Sequence, residues 1–148
     1  MNICVKEGNV IAVSDPPDSR IFDNMIIRNA FLARMELEGI SFDGSDLQGS
    51  DFSGSDLYDA FLCDTVFDLC KMVDADLRSG FLFRASFRNA DLRGAQLSLN
   101  NMAGALCLDE VDFSGANLDG ANCIDAIYDL TTIFPDGFDP VIRGMKLK

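Results

Sequence analysis

The chain has 148 residues, 48% of them hydrophobic, and carries a formal net charge of -12. That length suits one domain with a buried core, and the acidic balance disfavours nucleic acid as a direct ligand, because phosphate binding requires a basic surface. No stretch is long or apolar enough to predict a membrane span, and the first residues lack the order of a signal peptide, so we expect a cytoplasmic protein that does not engage a membrane.

The N-terminal segment differs from the rest of the chain. Residues 3–13 alternate like two short strands around Gly8-Asn9, and Asp15-Pro16-Pro17-Asp18 then breaks the pattern. We expect residues 1–20 to form a hairpin-like cap on the segment that follows.

A five-residue repeat dominates the next part of the chain. Neither a helix, with a period of about 3.6, nor a strand, with a period of about 2, gives this spacing, so the backbone must turn once in each repeat. A second series of positions, each two residues before an apolar position of the repeat, holds almost entirely small side chains from Ser45 onward. The apolar series is Phe22, Ile27, Leu32, Leu37, Phe42, Leu47, Phe52, Leu57, Leu62, Phe67, Met72, Leu77, Leu82, Phe87, Leu92, Leu97, Met102 and Cys107.

Three blocks carry a family resemblance: Ser45-Asp46-Leu47-Gln48-Gly49, Ala90-Asp91-Leu92-Arg93-Gly94 and Ala116-Asn117-Leu118-Asp119-Gly120. They resemble the pentapeptide-repeat family, with its A(D/N)LXX signature, and the resemblance extends over residues 21–130. It implies an all-β fold, a right-handed quadrilateral β-helix with four pentapeptides per coil and about 5.5 coils, roughly 25 Å long at the strand spacing. Residues 131–148 would then form a C-terminal cap and tail.

Four pentapeptides per coil would stack residues that are twenty positions apart. We therefore expect a column of Leu37, Leu57, Leu77 and Leu97, continued by Leu118 after one extra residue. That residue is predicted to make Leu108-Asp109-Glu110 bulge at a corner, and it leaves Cys107 and Cys123 as core residues.

The sequence offers no catalytic constellation. It contains no histidine or tryptophan, no P-loop or GxSxG motif and no CxxC pair. The repeat pattern itself accounts for the regularly spaced aspartates. We expect a protein that is not an enzyme and that uses no metal, cofactor or small-molecule substrate.

Charged residues define one candidate surface. Glu36, Asp56 and Asp76, with Glu38 beside them, should form an outward acidic column. The resembled family includes rod-shaped acidic proteins that mimic DNA and occupy the DNA site of gyrase, so protection or inhibition of a topoisomerase is one alternative. A basic belt interrupts the acidic surface, and Arg84 and Arg88 should pair across coils with Asp64 and Asp68. The belt consists of Arg78, Arg84, Arg88 and Arg93.

Apolar residues at outward positions define the other candidate surface, and they are Phe61, Cys63, Phe81, Phe83 and Ile124. An exposed apolar patch usually marks a partner surface, although a terminal cap could also cover it. The preferred hypothesis is a non-catalytic module that scaffolds or neutralises a protein partner, with an immunity protein as a special case. A homodimer through the same patch, the DNA mimic and a purely structural repeat protein stay open.

Overall fold

The computed structural model describes residues 20–98 and 106–148, together with the backbone of residues 2–5 and 10–12. The strands are β1 (Asn2–Val5), β2 (Val10–Ala12), β3 (Ala30–Phe31), β4 (Ile127–Tyr128) and β5 (Lys146–Leu147). Most of the remaining pairing consists of single bridges between parallel segments. The described residues contain no helix.

Each pentapeptide contains one tight turn, which explains the five-residue period. The N–H of Ser45 donates to the carbonyl of Phe42 at 2.9 Å, and Gly44 between them has a φ of 69°. A positive φ at the third residue of such a turn is the type II geometry, which favours glycine or asparagine. The same position recurs around the coils as Asn24, Gly49, Gly54 and Asn89.

Parallel bridges stack these pentapeptides into four columns. Ile21, Ile26, Phe31 and Glu36 each bridge the residue twenty positions later, and the next coils repeat the pattern. Residues twenty apart therefore lie about 4.8 Å apart, the spacing of paired strands. The predicted all-β solenoid is confirmed.

The interior combines apolar stacks with buried hydroxyls. The rings of Phe67, Phe87 and Phe113 stack with centroid separations of 5.0 and 5.2 Å. Ser45 and Thr65 are fully buried, and their hydroxyls donate to carbonyls 23 residues earlier at 2.5 and 2.8 Å. Since a buried polar group is tolerated when it is hydrogen-bonded, these hydroxyls link adjacent coils through the interior.

The predicted position of the register shift is wrong. Ser86 bridges Asp112, 26 residues later, whereas earlier bridges span 20, so six additional residues lie between Leu97 and Leu106. Cys107 is consequently exposed and Leu108 is buried, the reverse of their predicted places. Residues 108–110 do not bulge, because Glu110 occupies the ordinary positive-φ turn position.

The same six residues change which side chains stack. Asn117 bridges Asp91 and Asn122 bridges Gln96. Leu118 therefore lies over Leu92, and Cys123, which is buried as predicted, lies over Leu97. The expected continuation of the leucine column at Leu118 is wrong, and Met102 lies outside the described residues.

Strands at both ends extend the edges of the solenoid. At the N-terminal end β1 pairs antiparallel with β2 and also with β3 in the first coil. Their connection at Gly8-Asn9 and the predicted break at Asp15-Pro16-Pro17-Asp18 lie outside the described residues. At the other end β5 pairs in parallel with β4. Such pairing occupies edges that could otherwise add a strand from another chain.

Candidate functional site

The candidate site begins with two stacked phenylalanines on one side of the solenoid. Phe61 and Phe81 occupy successive levels of one bridge column, and their ring centroids lie 4.9 Å apart at an interplanar angle of 9°. Each is the residue before an inward leucine, so its side chain points outward. Phe61, Phe81 and the neighbouring Phe83 are 42%, 48% and 42% exposed, respectively. We call these three residues the aromatic face.

A small cavity lies beside the aromatic face. Its volume is about 180 Å³, and Phe81, Phe83, Cys63 and Cys107 line it together with two carboxylates. The carboxylates are those of Asp59 and Asp109. Gly80, which also lines it, is buried, and a Cβ added there would lie 3.1 Å from the carbonyl of Leu77 in the interior.

Asp109 has an unusual environment within this cavity. Its Oδ2 accepts a hydrogen bond from the ammonium of Lys148 at 2.5 Å. Its Oδ1 is buried and has no hydrogen-bond partner among the described residues. A buried acceptor without a donor is costly, so Asp109 retains an unused capacity for a hydrogen bond.

Cys63, in the wall of the cavity, is hydrogen-bonded to the preceding coil. Its backbone N–H donates to Oδ1 of Asp43 at 2.7 Å, and its thiol contacts the carbonyl of Phe81 at 3.7 Å. Burial, with a smaller contribution from the charge of Asp43, raises the pKa of the Cys63 thiol. The thiol therefore stays protonated near neutral pH and is a poor nucleophile.

Four of the five predicted partner-binding residues lie together, and Ile124 does not. Ile124 follows Asn122, which bridges Gln96 in the column of Glu36, so Ile124 lies beside a neighbouring face. The six additional residues cause this displacement. They also bring Cys107 and Asp109 to the cavity. The register expected from the sequence places Cys107 in the core and Asp109 in a bulge.

The acidic column forms as predicted but is short. Glu36 bridges Asp56, and Asp56 bridges Asp76, whereas the next two levels are the uncharged Gln96 and Asn122. Beside this column, Glu38 is exposed, and its backbone carbonyl accepts a hydrogen bond from Arg20. The guanidinium of Arg78 contacts both carboxylate oxygens of Asp76 at 2.9 and 3.1 Å.

The arginine belt is neutralised by aspartates. Arg84 pairs with Asp64 at 2.5 Å and Arg88 pairs with Asp68 at 3.1 Å, which confirms both predicted contacts between coils. Arg93 pairs instead within its own pentapeptide, and its hydrogen bonds hold the pKa of Asp91 below the usual value. The side chains of these arginines are more than half exposed, so each pair contributes little to stability.

Residues 20–98 and 106–148 contain no group of three or more histidine, cysteine, aspartate or glutamate side chains that could hold a metal ion. Across the part of the chain that the structure describes, no helix is long and apolar enough to cross a membrane.

The turns, columns and core together define a solenoid of five-residue repeats. The chain belongs to the pentapeptide-repeat family: the sequence model described as pentapeptide repeats matches eight copies, over residues 27–57, 45–82 and 107–127. Proteins of this family are generally structural or binding modules. A comparison with curated protein sequences finds no match.

Solved structures show the same architecture. One of them is HetL, a pentapeptide repeat protein involved in heterocyst differentiation regulation in the cyanobacterium Nostoc sp. strain PCC 7120. HetL is 26% identical to this chain, with a TM-score of 0.54, and the match covers 76% of this chain and 48% of HetL. This chain thus spans about half the length of HetL.

Two more distant structures share the fold alone. A pentapeptide repeat protein from the Arabidopsis thaliana thylakoid lumen is 18% identical, with a TM-score of 0.53 over 76% of this chain and 75% of its own. QnrB1, a plasmid-mediated fluoroquinolone resistance protein, is 20% identical, with a TM-score of 0.53 over 88% of this chain and 86% of its own.

Proposed function

We propose that this chain is a non-catalytic, cytoplasmic protein-binding module that scaffolds or neutralises one protein partner through the aromatic face. The observation that carries the proposal is the stacked pair of Phe61 and Phe81, each nearly half exposed where the repeat normally places polar groups. Clustered aromatic side chains provide a large apolar contact area and are enriched where partner proteins bind.

Charge favours a basic partner over a second copy of the chain. Asp59, Asp64 and Asp109 lie near the aromatic face, where Arg84 pairs with Asp64 and Lys148 pairs with Asp109, and the whole chain carries a net charge of -12. Two copies docked through this face would bring like charges together. A partner with an apolar centre and a rim of lysine or arginine would instead match both the shape and the charge of the face.

Binding to a purified partner tests the proposal. The double variant Phe81→Asp/Phe83→Ser should lose a partner that is first captured by the native protein and then purified for calorimetry. Loss of two central aromatic contacts should weaken binding at least about thirtyfold, or about 2 kcal/mol.

A matched control separates the aromatic face from a general effect of added charge. Leu69→Asp makes a similar change at a residue that is 56% exposed near a different corner, and it should leave the affinity unchanged. Unchanged binding by the double variant would refute the proposal. A dimer in light scattering that the double variant dissociates would replace the basic partner with a second copy.

The DNA-mimic alternative rests on the column of Glu36, Asp56 and Asp76. Its shortness and the pairing of Asp76 with Arg78 weigh against an extended negative surface. A gyrase supercoiling assay decides between the two functions, and we expect no effect of the native protein. Inhibition or protection that Glu36→Gln/Asp56→Asn removes would favour the DNA mimic.

The overall organisation that we propose is a right-handed, four-sided solenoid of about 5.5 coils over residues 21–130. Residues 1–20 and 131–148 act as its caps. In this arrangement the repeats are a rigid scaffold, and function lies in the outward side chains that depart from the repeat pattern.

A further inference from the structure

We propose that the cavity beside Phe81 and Phe83 is a binding site for a single arginine side chain of the partner protein. The inference rests on the proposed function and names the chemistry of its central contact.

The cavity size restricts the occupant to one side chain. Its volume is about 180 Å³. Pockets that take a drug-sized ligand or a cofactor usually measure about 300–1,000 Å³. One long side chain is therefore the appropriate size.

The lining favours a cation with flat geometry. Phe81 and Phe83 provide aromatic surface, and Asp59 and Asp109 provide carboxylates. Guanidinium groups stack on aromatic rings and donate paired hydrogen bonds to carboxylates, which a lysine ammonium cannot do in the same geometry.

The chain's own cations show that this region attracts positive charge. The ammonium of Lys148 lies 2.5 Å from Asp109, and the guanidinium carbon of Arg84 lies 5.2 Å from the ring centroid of Phe83. Neither cation pairs with Asp59, whose carboxylate makes no ion pair within residues 20–98 and 106–148.

Neighbouring charges leave the site negative after these two cations are counted. Asp43 and Asp64 both act on the thiol of Cys63 in the cavity wall, and their charges add to those of Asp59 and Asp109. Arg84 pairs with Asp64 and Lys148 pairs with Asp109, so Asp43 and Asp59 are the nearby carboxylates that no lysine or arginine of the described residues pairs with. A cation from the partner would offset this remaining negative charge.

Titration with a model side chain tests the proposal directly. N-acetyl-L-arginine methylamide added to the ¹⁵N-labelled full chain should shift the amide resonances of Phe81, Phe83 and Asp109. N-acetyl-L-citrulline methylamide has nearly the same shape without the charge, and it should bind at least about fivefold more weakly. The lysine analogue should also bind more weakly than arginine.

A matched pair of variants assigns the charge effect to Asp59. Asp59→Asn should weaken arginine binding at least about threefold, whereas Asp74→Asn should not change it. Both aspartates occupy positive-φ turn positions, with φ of 57° and 56°, and asparagine tolerates that conformation. The comparison therefore changes charge at two equivalent turns, only one of which borders the cavity.

Three results would overturn the arginine site: no shifts at the cavity residues, equal binding of arginine and citrulline, or equal effects of Asp59→Asn and Asp74→Asn. Tighter binding of the lysine analogue would overturn the assignment to arginine. If the site failed while Phe81→Asp/Phe83→Ser still lost the partner, the proposed function would stand. Retention of the partner by that double variant would instead refute the function, whatever the titration showed.

Discussion

Leu77→Ala should be among the most destabilising truncations in the protein. Leu77 is fully buried, in the column between Leu57 and Leu97. Removing about three carbons costs about 2.4 kcal/mol in transfer free energy at about 0.8 kcal/mol each. The space left between stacked coils adds to this, so we expect a loss of about 3–5 kcal/mol. Leu69→Ala makes the same change at a residue that is 56% exposed and should cost less than about 1 kcal/mol.

Urea denaturation followed by circular dichroism measures the difference. With a slope of about 1–3 kcal/mol per M, a loss of about 3 kcal/mol lowers the midpoint by about 1–3 M. Leu77→Lys should prevent folding altogether, because it buries an unpaired charge, while Arg78→Lys should be nearly silent. Equal midpoint shifts for Leu77→Ala and Leu69→Ala would refute the assignment of the buried series.

Three further changes test the turns and the C-terminal region. Leu69 has a φ of 61°, a left-handed conformation that asparagine adopts more readily than leucine. Leu69→Asn should therefore stabilise the protein by about 0.5–1 kcal/mol in the same urea assay. A lower midpoint would contradict backbone strain at Leu69. Gly94 and Gly120 both have a φ of 70°, but an added Cβ would lie 2.1 Å from Oδ1 of Asp74 at Gly94 and 3.8 Å from its nearest neighbour at Gly120. Gly94→Ala should therefore cost about 1–2 kcal/mol more than Gly120→Ala, and equal costs would show that the carboxylate simply moves away. Hydrogen bonds led by the hydroxyl of the nearby Thr131 lower the pKa of Asp129 to about 2. Because the folded-state pKa lies below the unfolded one, the charge of Asp129 stabilises the fold above the unfolded pKa, and this contribution is lost as pH falls through about 2. Asp129→Asn should therefore lower the melting temperature at pH 7, with a difference from the native protein that shrinks toward pH 2; a constant difference would exclude the charge as its cause.

The candidate site was predictable only in part. Phe61, Cys63, Phe81 and Phe83 lie in uninterrupted repeats, so counting in fives places them together on one side. Asp59 precedes Phe61 in the same uninterrupted stretch, but it carries no signal of a site in the sequence because an aspartate at a turn fits the ordinary repeat pattern. Cys107, Asp109 and Ile124 follow the additional residues, and counting alone cannot place them.

The sequence by itself determined the five-residue period and the inward series, because each pentapeptide forms its own turn and buries its own central side chain; four pentapeptides per coil was what the family resemblance implied, and the bridges between residues twenty apart show it. Only the tertiary structure decided where the register changes. In the sequence, Met102 and Cys107 continue the earlier apolar series, whereas Leu108 and Phe113 belong to a later one. Two registers therefore fit the residues near position 107. Pairing with neighbouring coils resolves the ambiguity, because stacking Phe113 on Phe87 at 5.2 Å places Leu108 inside and Cys107 outside.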